Sequence, residues 1–282
     1  MSYDEKIIKT IERLALSSEL SCNYFKKHTV MVPSRNEVVR IIKKIQHLMF
    51  PEYFLLEEDE GKSLFVVAEE VFSLLKRQIT ASYYFYDEDS VVDTESITYD
   101  ILDLLPVIKE KLLKDVIALY EGDPAAKSPE EVILSYPGFY AISVYRLAHE
   151  FYLKGIPYIS RLMTEFAHEK TGIDIHAGAT IGEYFFIDHG TGIVIGETTT
   201  IGDRVKIYQG VTLGAKSFEL DEEGNPVKGI KRHPDIGNGV VIYANATILG
   251  GNTKIGDGCV IGGNVWLTHS VPAGEVVYYN AK

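Results

Sequence analysis

Lys216, Lys228, Lys231, Arg232 and His233 crowd into one short stretch of a chain whose formal net charge is −12. With 28 Lys and Arg against 40 Asp and Glu in 282 residues, the chain as a whole repels polyanions. It is therefore read as neither a nucleic-acid binder nor a partner of anionic membranes. A local basic cluster is what a small anionic ligand requires of an acidic protein. Upstream lies a second string that carries chemistry, Asp188-His189-Gly190-Thr191-Gly192, preceded by Asp174 and His176. Imidazole titrates near neutrality, so it serves as a proton acceptor or as a metal ligand. His176, His189 and His233 would suit a zinc-dependent hydratase of the carbonic-anhydrase type if they converged on one ion. The Asp before His189 and the Arg before His233 argue against that, and no metal is expected.

These groups need elements to hold them, and glycine usage divides the chain into two kinds. Of 24 glycines, only Gly61, Gly122, Gly138 and Gly155 precede residue 172. Glycine weakens helices and suits repeated tight corners, so residues 1–171 are read as a helical domain and residues 172–282 as something else. In the first region Ser34 looks like the N-cap of a helix through Val38, Ile41, Ile42 and Ile45 that stops before Pro51. Residues 65–85 and 97–120 carry apolar stripes at helical spacing. Ser128-Pro129-Glu130-Glu131 is a helix start, and residues 139–153 and 157–170 continue the pattern.

From Ile175 onward an aliphatic residue recurs every six positions. The first rank is Ile175, Ile181 and Ile187, and the second is Ile195, Ile201, Ile207 and Leu213. After a long excursion it runs Ile236, Ile242, Leu249, Ile255, Ile261 and Leu267, with one step of seven. A six-residue period is that of neither a helix nor a plain strand; it is one short strand plus one corner, and three hexads close a triangular coil. The fold class expected is thus α + β: an N-terminal helical domain followed by a left-handed parallel β-helix of hexapeptide repeats. The excursion, about residues 214–234, breaks the rhythm and carries the basic cluster, as insertions on a solenoid's binding face do.

A composition of 46% apolar and 24% charged residues fits a soluble globular protein. The charged start of the chain is not a signal peptide, and no apolar run reaches the roughly 20 residues that span a bilayer. Two cysteines, Cys22 and Cys259, make no disulfide framework, so a reducing, cytoplasmic setting is expected.

The strings Ile173-Asp174-Ile175-His176, Ile187 through Thr198 and Arg232-His233-Pro234 closely resemble serine O-acetyltransferase, the enzyme that opens cysteine synthesis from serine. Gly122-Asp123-Pro124-Ala125, Gly138-Phe139-Tyr140-Ala141 and Tyr145-Arg146 extend the resemblance, which covers roughly residues 115–275. It implies acetyl-CoA as cosubstrate and L-serine as acceptor, whose hydroxyl needs a base. His189 matches the catalytic histidine and Asp174 its carboxylate partner, with His233 orienting the acceptor or stabilising the oxyanion. Asp123 and Asp188 match the groups that meet the amino end of serine, and Arg232 the fork for its carboxylate. Gly214, Ala215, Ala244 and Gly262 match the small positions along the pantetheine arm, and Lys216 or Lys231 would meet the phosphates. The resemblance further implies a homo-oligomer, a trimer or a dimer of trimers, with active sites between subunits. Tyr140 stands where better-known members carry histidine. The chain ends Tyr278-Tyr279-Asn280-Ala281-Lys282, without the apolar tail that docks into cysteine synthase, which leaves that partner open. A different hexapeptide acetyltransferase, acting on a sugar or another hydroxyl, is the competing reading and would lack the Asp123/Arg232 clamp.

Overall fold

The computed structural model describes residues 3–15 and 31–279; Cys22 and residues 280–282 lie outside the described residues. By its contacts the chain divides into two units, residues 1–32 and residues 33–282. The first contains helix α1 (Tyr3–Ala15), with Asp4 and Glu5 in its first turn and Arg13 in its last, as the helix dipole favours.

The second unit begins with helices α2 (Arg35–Met49), α3 (Leu64–Tyr86), α4 (Thr94–Gly122), α5 (Pro129–Ser135), α6 (Pro137–Leu153) and α7 (Ile159–Thr171). Their starts follow from local chemistry. The Ser34 side chain accepts the Glu37 amide, Ser63 the Val66 amide, Asp93 the Ser96 amide and Ser128 the Glu131 amide. Pro129 and Pro137 occupy first-turn positions where a missing N–H costs nothing. No helix among the described residues is long and apolar enough to cross a membrane.

At Gly172, in the left-handed region at φ 72°, the last helix gives way to short parallel strands. These are β1 (Asp174–Ile175), β2 (Thr180–Ile181), β3 (Phe186–Asp188), β4 (Val194–Ile195), β5 (Thr200–Ile201), β6 (Lys206–Tyr208) and β7 (Thr212–Gly214). After the excursion come β8 (Asp235–Ile236), β9 (Val241–Ile242), β10 (Thr247–Leu249), β11 (Lys254–Ile255), β12 (Val260–Ile261), β13 (Trp266–Leu267) and β14 (Val276–Val277). They stack into three faces: β1-β4-β7-β10-β13, β2-β5-β8-β11 and β3-β6-β9-β12-β14. A triangular parallel β-helix results. We call the corners that follow these faces the first, second and third edges.

The inward rank differs from the sequence expectation at one position. Ile248, fully buried, pairs with Leu213 and Leu267, whereas Leu249 pairs with Gly214 and is only half-buried. The step of seven therefore lies between Ile248 and Ile255, at a corner that is one residue longer. Ladder pairing sets the register, and a shift of one residue would turn the wrong side chain inward.

Helices and prism share one continuous core, in which Phe139, Phe151, Phe185 and Phe186 are buried beside Ile173 and Ile187. Helix α6 runs against the first coil and bonds its carbonyls. The Tyr145 hydroxyl donates to Ala179 O at 2.5 Å, His149 Nδ1 lies 2.7 Å from Ala177 O, and Arg146 Nη2 donates to Gly182 O at 2.8 Å. Arg146 also grips Asp115 of α4 with two bonds, 2.5 Å and 2.8 Å, while Asp115 accepts the Phe185 amide at 2.9 Å.

Candidate active site

His189 occupies the third edge, where the chain leaves β3. Its backbone lies in the left-handed region at φ 55°, and Gly190 and Gly192 follow at φ 84° and 82°. A non-glycine residue held there is a strained corner of the kind that recurs at functional sites. The result is exposure: 73% of the His189 side chain is open, with Nε2 3.9 Å from Asp188 Oδ1.

Helix α4 ends opposite this corner. Asp123 is its C-cap; one carboxylate oxygen accepts the Ala125 amide at 2.8 Å and the other accepts the Tyr136 hydroxyl at 2.5 Å. The Tyr136 bond first, then the Ala125 amide, hold the Asp123 carboxyl below its ordinary range, with the nearby His189 adding to the effect. Asp123 in return pushes the Tyr136 phenol up to about 12, so that it remains a donor at any ordinary pH. Asp188 lies within electrostatic reach of the same phenol. Asp123, Asp188 and His189 thus form one acidic-imidazole cluster. Tyr208, which pairs with Asp188 along the third face, stacks on Tyr243 at 5.2 Å.

Asp174 sits on β1, beside Val194 of the next coil, and no hydrogen bond joins it to His189. The carboxylate within 4.0 Å of the imidazole is Asp188. Tyr140 lies under the Lys170 ammonium at 5.4 Å, its phenol pushed up to about 12 by burial.

Arg232 and His233 lie elsewhere, at the first edge, where the excursion rejoins the coil. Thr198 organises them: its hydroxyl accepts both amides, at 3.0 Å and 3.1 Å, and its own amide donates to His233 Nδ1 at 3.1 Å. That acceptor role leaves the proton of a neutral ring on Nε2. The His233 ring presses on Gly196, where an added Cβ would come within 2.1 Å of it. Burial, reinforced by the Arg232 charge, pushes the His233 imidazole down to about 4. Arg232 Nη2 donates to Glu197 Oε2 at 2.5 Å. His176 is in this neighbourhood too, its Nδ1 accepting the Gly178 amide at 3.0 Å, so within one chain the three histidines do not meet.

The small positions divide likewise. Gly214 and Ala215 lie at the first edge, while Ala244 and Gly262 lie at the third, above His189. Beside the first edge Lys216, Lys231 and Arg232 line a cleft of about 260 Å³ with Gly251 and Thr268. Lys231 is already held by Asp235 and the Thr198 carbonyl, both at 2.5 Å, whereas Lys216 is exposed. Tyr136, Tyr152 and Glu197 escaped the sequence reading. Glu197 alone left a signal there, a carboxylate at a corner where small residues are the rule.

No family profile matches the chain. Over 260 residues it is 46% identical to a Synechococcus elongatus protein named plasmid serine acetyltransferase, a match covering 87% of this chain and 81% of that one. A Bacillus subtilis serine acetyltransferase is 43% identical over 179 residues, 61% of this chain and 78% of the relative. Among solved structures, Entamoeba histolytica serine acetyltransferase 1 in complex with L-cysteine matches with a TM-score of 0.74 at 36% identity, covering 97% of both chains. With the Asp-His corner and the Arg-His pair both seated on the coils where the repeat requires them, and with a relative this similar along most of its length, the chain belongs to the serine acetyltransferase family.

Proposed function

We propose that this chain transfers the acetyl group of acetyl-CoA to the hydroxyl of L-serine, yielding O-acetyl-L-serine and CoA, the first step of cysteine synthesis from serine. The observation that carries this reading is the cluster of His189, Asp188 and Asp123, in a chain of that family. His189 takes the serine hydroxyl proton as the oxygen attacks the thioester carbon. The tetrahedral intermediate then collapses, the C–S bond breaks, and the proton passes from His189 to the departing thiolate. Asp174 steadies the imidazolium; bonds of this kind are often long without substrate and tighten when it binds. Asp123 and Asp188 meet the ammonium of serine and Arg232 its carboxylate. His233, neutral and protonated on Nε2, donates to the developing oxyanion.

These roles demand two chains. One face of the prism separates the edge that carries His189 from the edge that carries Arg232 and His233, so both groups reach one serine only where the third edge of one protomer faces the first edge of another. The same meeting sets Ala244 and Gly262 opposite Gly214 and Ala215, a groove of small residues for the pantetheine arm, with Lys216 at the phosphates. The family resemblance supports a trimer, or a pair of trimers, as the assembly that makes this meeting, and the reading places the enzyme in the cytoplasm. Thiol release from acetyl-CoA, with serine and ethanolamine as acceptors, tests the reading. Serine is expected to react and ethanolamine not, because the amine lacks the carboxylate that Arg232 is built to pair. Equal rates would overturn it.

A further inference from the structure

The guanidinium of Arg232 is aimed by a chain of contacts that starts outside the prism. Tyr152, near the end of α6, donates its hydroxyl to Glu197 Oε1 at 3.0 Å. Glu197 Oε2 in turn accepts Arg232 Nη2 at 2.5 Å. The two side chains of that ion pair are only 21% and 22% exposed. Gly178 makes the first link possible: a Cβ there would stand 2.8 Å from Tyr152 Cζ and 2.9 Å from Glu197 Cγ. The Tyr152 ring also packs nearly perpendicular to His176, with centroids 5.9 Å apart. A guanidinium carries five N–H donors in a rigid fork, so holding one nitrogen restricts where the others point. Beyond Glu197, the contact of Arg232 is a long one, Nη1 to the Ile230 carbonyl at 3.5 Å. Donors remain for an incoming carboxylate.

We propose that Tyr152 and Glu197 are positioning residues for acceptor specificity, holding Arg232 in the orientation that recognises the carboxylate of serine. The proposal rests on the reading of Arg232 as the carboxylate clamp. An unrestrained arginine loses rotamer freedom when it pairs with a ligand; here Glu197 has removed that freedom beforehand. Tyr152 matters because it anchors Glu197 to a helix rather than to another corner.

The test compares wild type, Tyr152→Phe, Glu197→Gln and Arg232→Ala, with L-serine and L-serinamide as acceptors. Serinamide keeps the ammonium and the hydroxyl but not the charged carboxylate. Tyr152→Phe is expected to raise KM for serine about three- to tenfold, in line with the net worth of one ordinary hydrogen bond, since the lost bond acts on the ligand only through Glu197 and Arg232. Its kcat should stay within about twofold of wild type, the usual sign of lost ground-state binding. KM for serinamide and for acetyl-CoA should hold, so the preference for serine narrows by the same factor. Glu197→Gln is expected to narrow it further. A variant with general damage would instead weaken both acceptors alike and melt earlier. If Arg232→Ala abolishes the preference while Tyr152→Phe and Glu197→Gln retain it, the positioning role is wrong and the clamp stands. If Arg232→Ala also retains it, clamp and positioning role fall together.

Discussion

His189 and His233 show how two imidazoles in one chain are set to different tasks. The first is exposed on a left-handed corner, free of the core. His189→Ala should therefore leave circular dichroism and melting unchanged while kcat falls about 10²–10⁴-fold, the worth of a positioned base. Wild-type turnover in a folded variant would remove it from the mechanism. His233 is buried, and its imidazole is pushed down to about 4. In the unfolded chain a histidine takes up its proton near pH 6.5. Between pH 6.5 and about 4 the unfolded state thus binds more protons at this position, so stability falls as the pH drops through that window and is fully present above it. Urea midpoints measured across the window should show the decline, and His233→Asn should flatten it. An unchanged slope would mean that the ring takes up its proton as readily in the folded chain as in the unfolded one.

At the scale of elements, the joint between helices and prism is the buried Asp115–Arg146 pair, which ties α4 and α6 to the corner at Ile181, Gly182 and Phe185. Helix α4 carries Asp123 at its end, so this joint also sets where the carboxylate proposed to meet the serine ammonium stands relative to His189. Arg146→Met leaves Asp115 buried without its ion partner and should cost about 3–5 kcal/mol in denaturant unfolding. Adding Asp115→Leu should recover much of that loss, since a buried ion pair is often matched by apolar packing. A loss below about 1 kcal/mol would place the joint among surface-grade pairs. The basic excursion rests on a lighter scaffold. Lys231–Asp235 and the bonds of Thr198 tie its return, while Glu219, Asp221 and Lys228 along its length are exposed.

For the whole molecule, the decisive fact is that His189 and Arg232 occupy different edges of one prism. Mixing His189→Ala protein with His233→Ala protein, under conditions in which subunits exchange, should restore activity. Some mixed interfaces then carry both lesions and others neither. An active monomer in light scattering, or no recovery after proven exchange, would defeat the shared site.

The hexad rhythm, the Ser34 and Ser128 caps and the Asp-His and Arg-His strings were legible in the sequence because each is local. A cap needs residues three apart, and a strand with its corner needs six. The rhythm even located the excursion that bears the basic cluster. It misassigned Leu249 for Ile248 because two adjacent aliphatics fit the same period, and only ladder pairing with Leu213 and Leu267 separates them. Asp115–Arg146, Tyr136–Asp123 and Tyr152–Glu197 left no such trace. Each joins side chains well apart in the sequence, across two elements, and exists only because a helix packs on another helix or on a coil at one angle and depth. The hexad count before the excursion already seats His189 after a third-face strand and the Arg-His pair after a first-face strand. That one chain does not bring the two together was decided by tertiary structure, because a face of stacked strands stands between their edges.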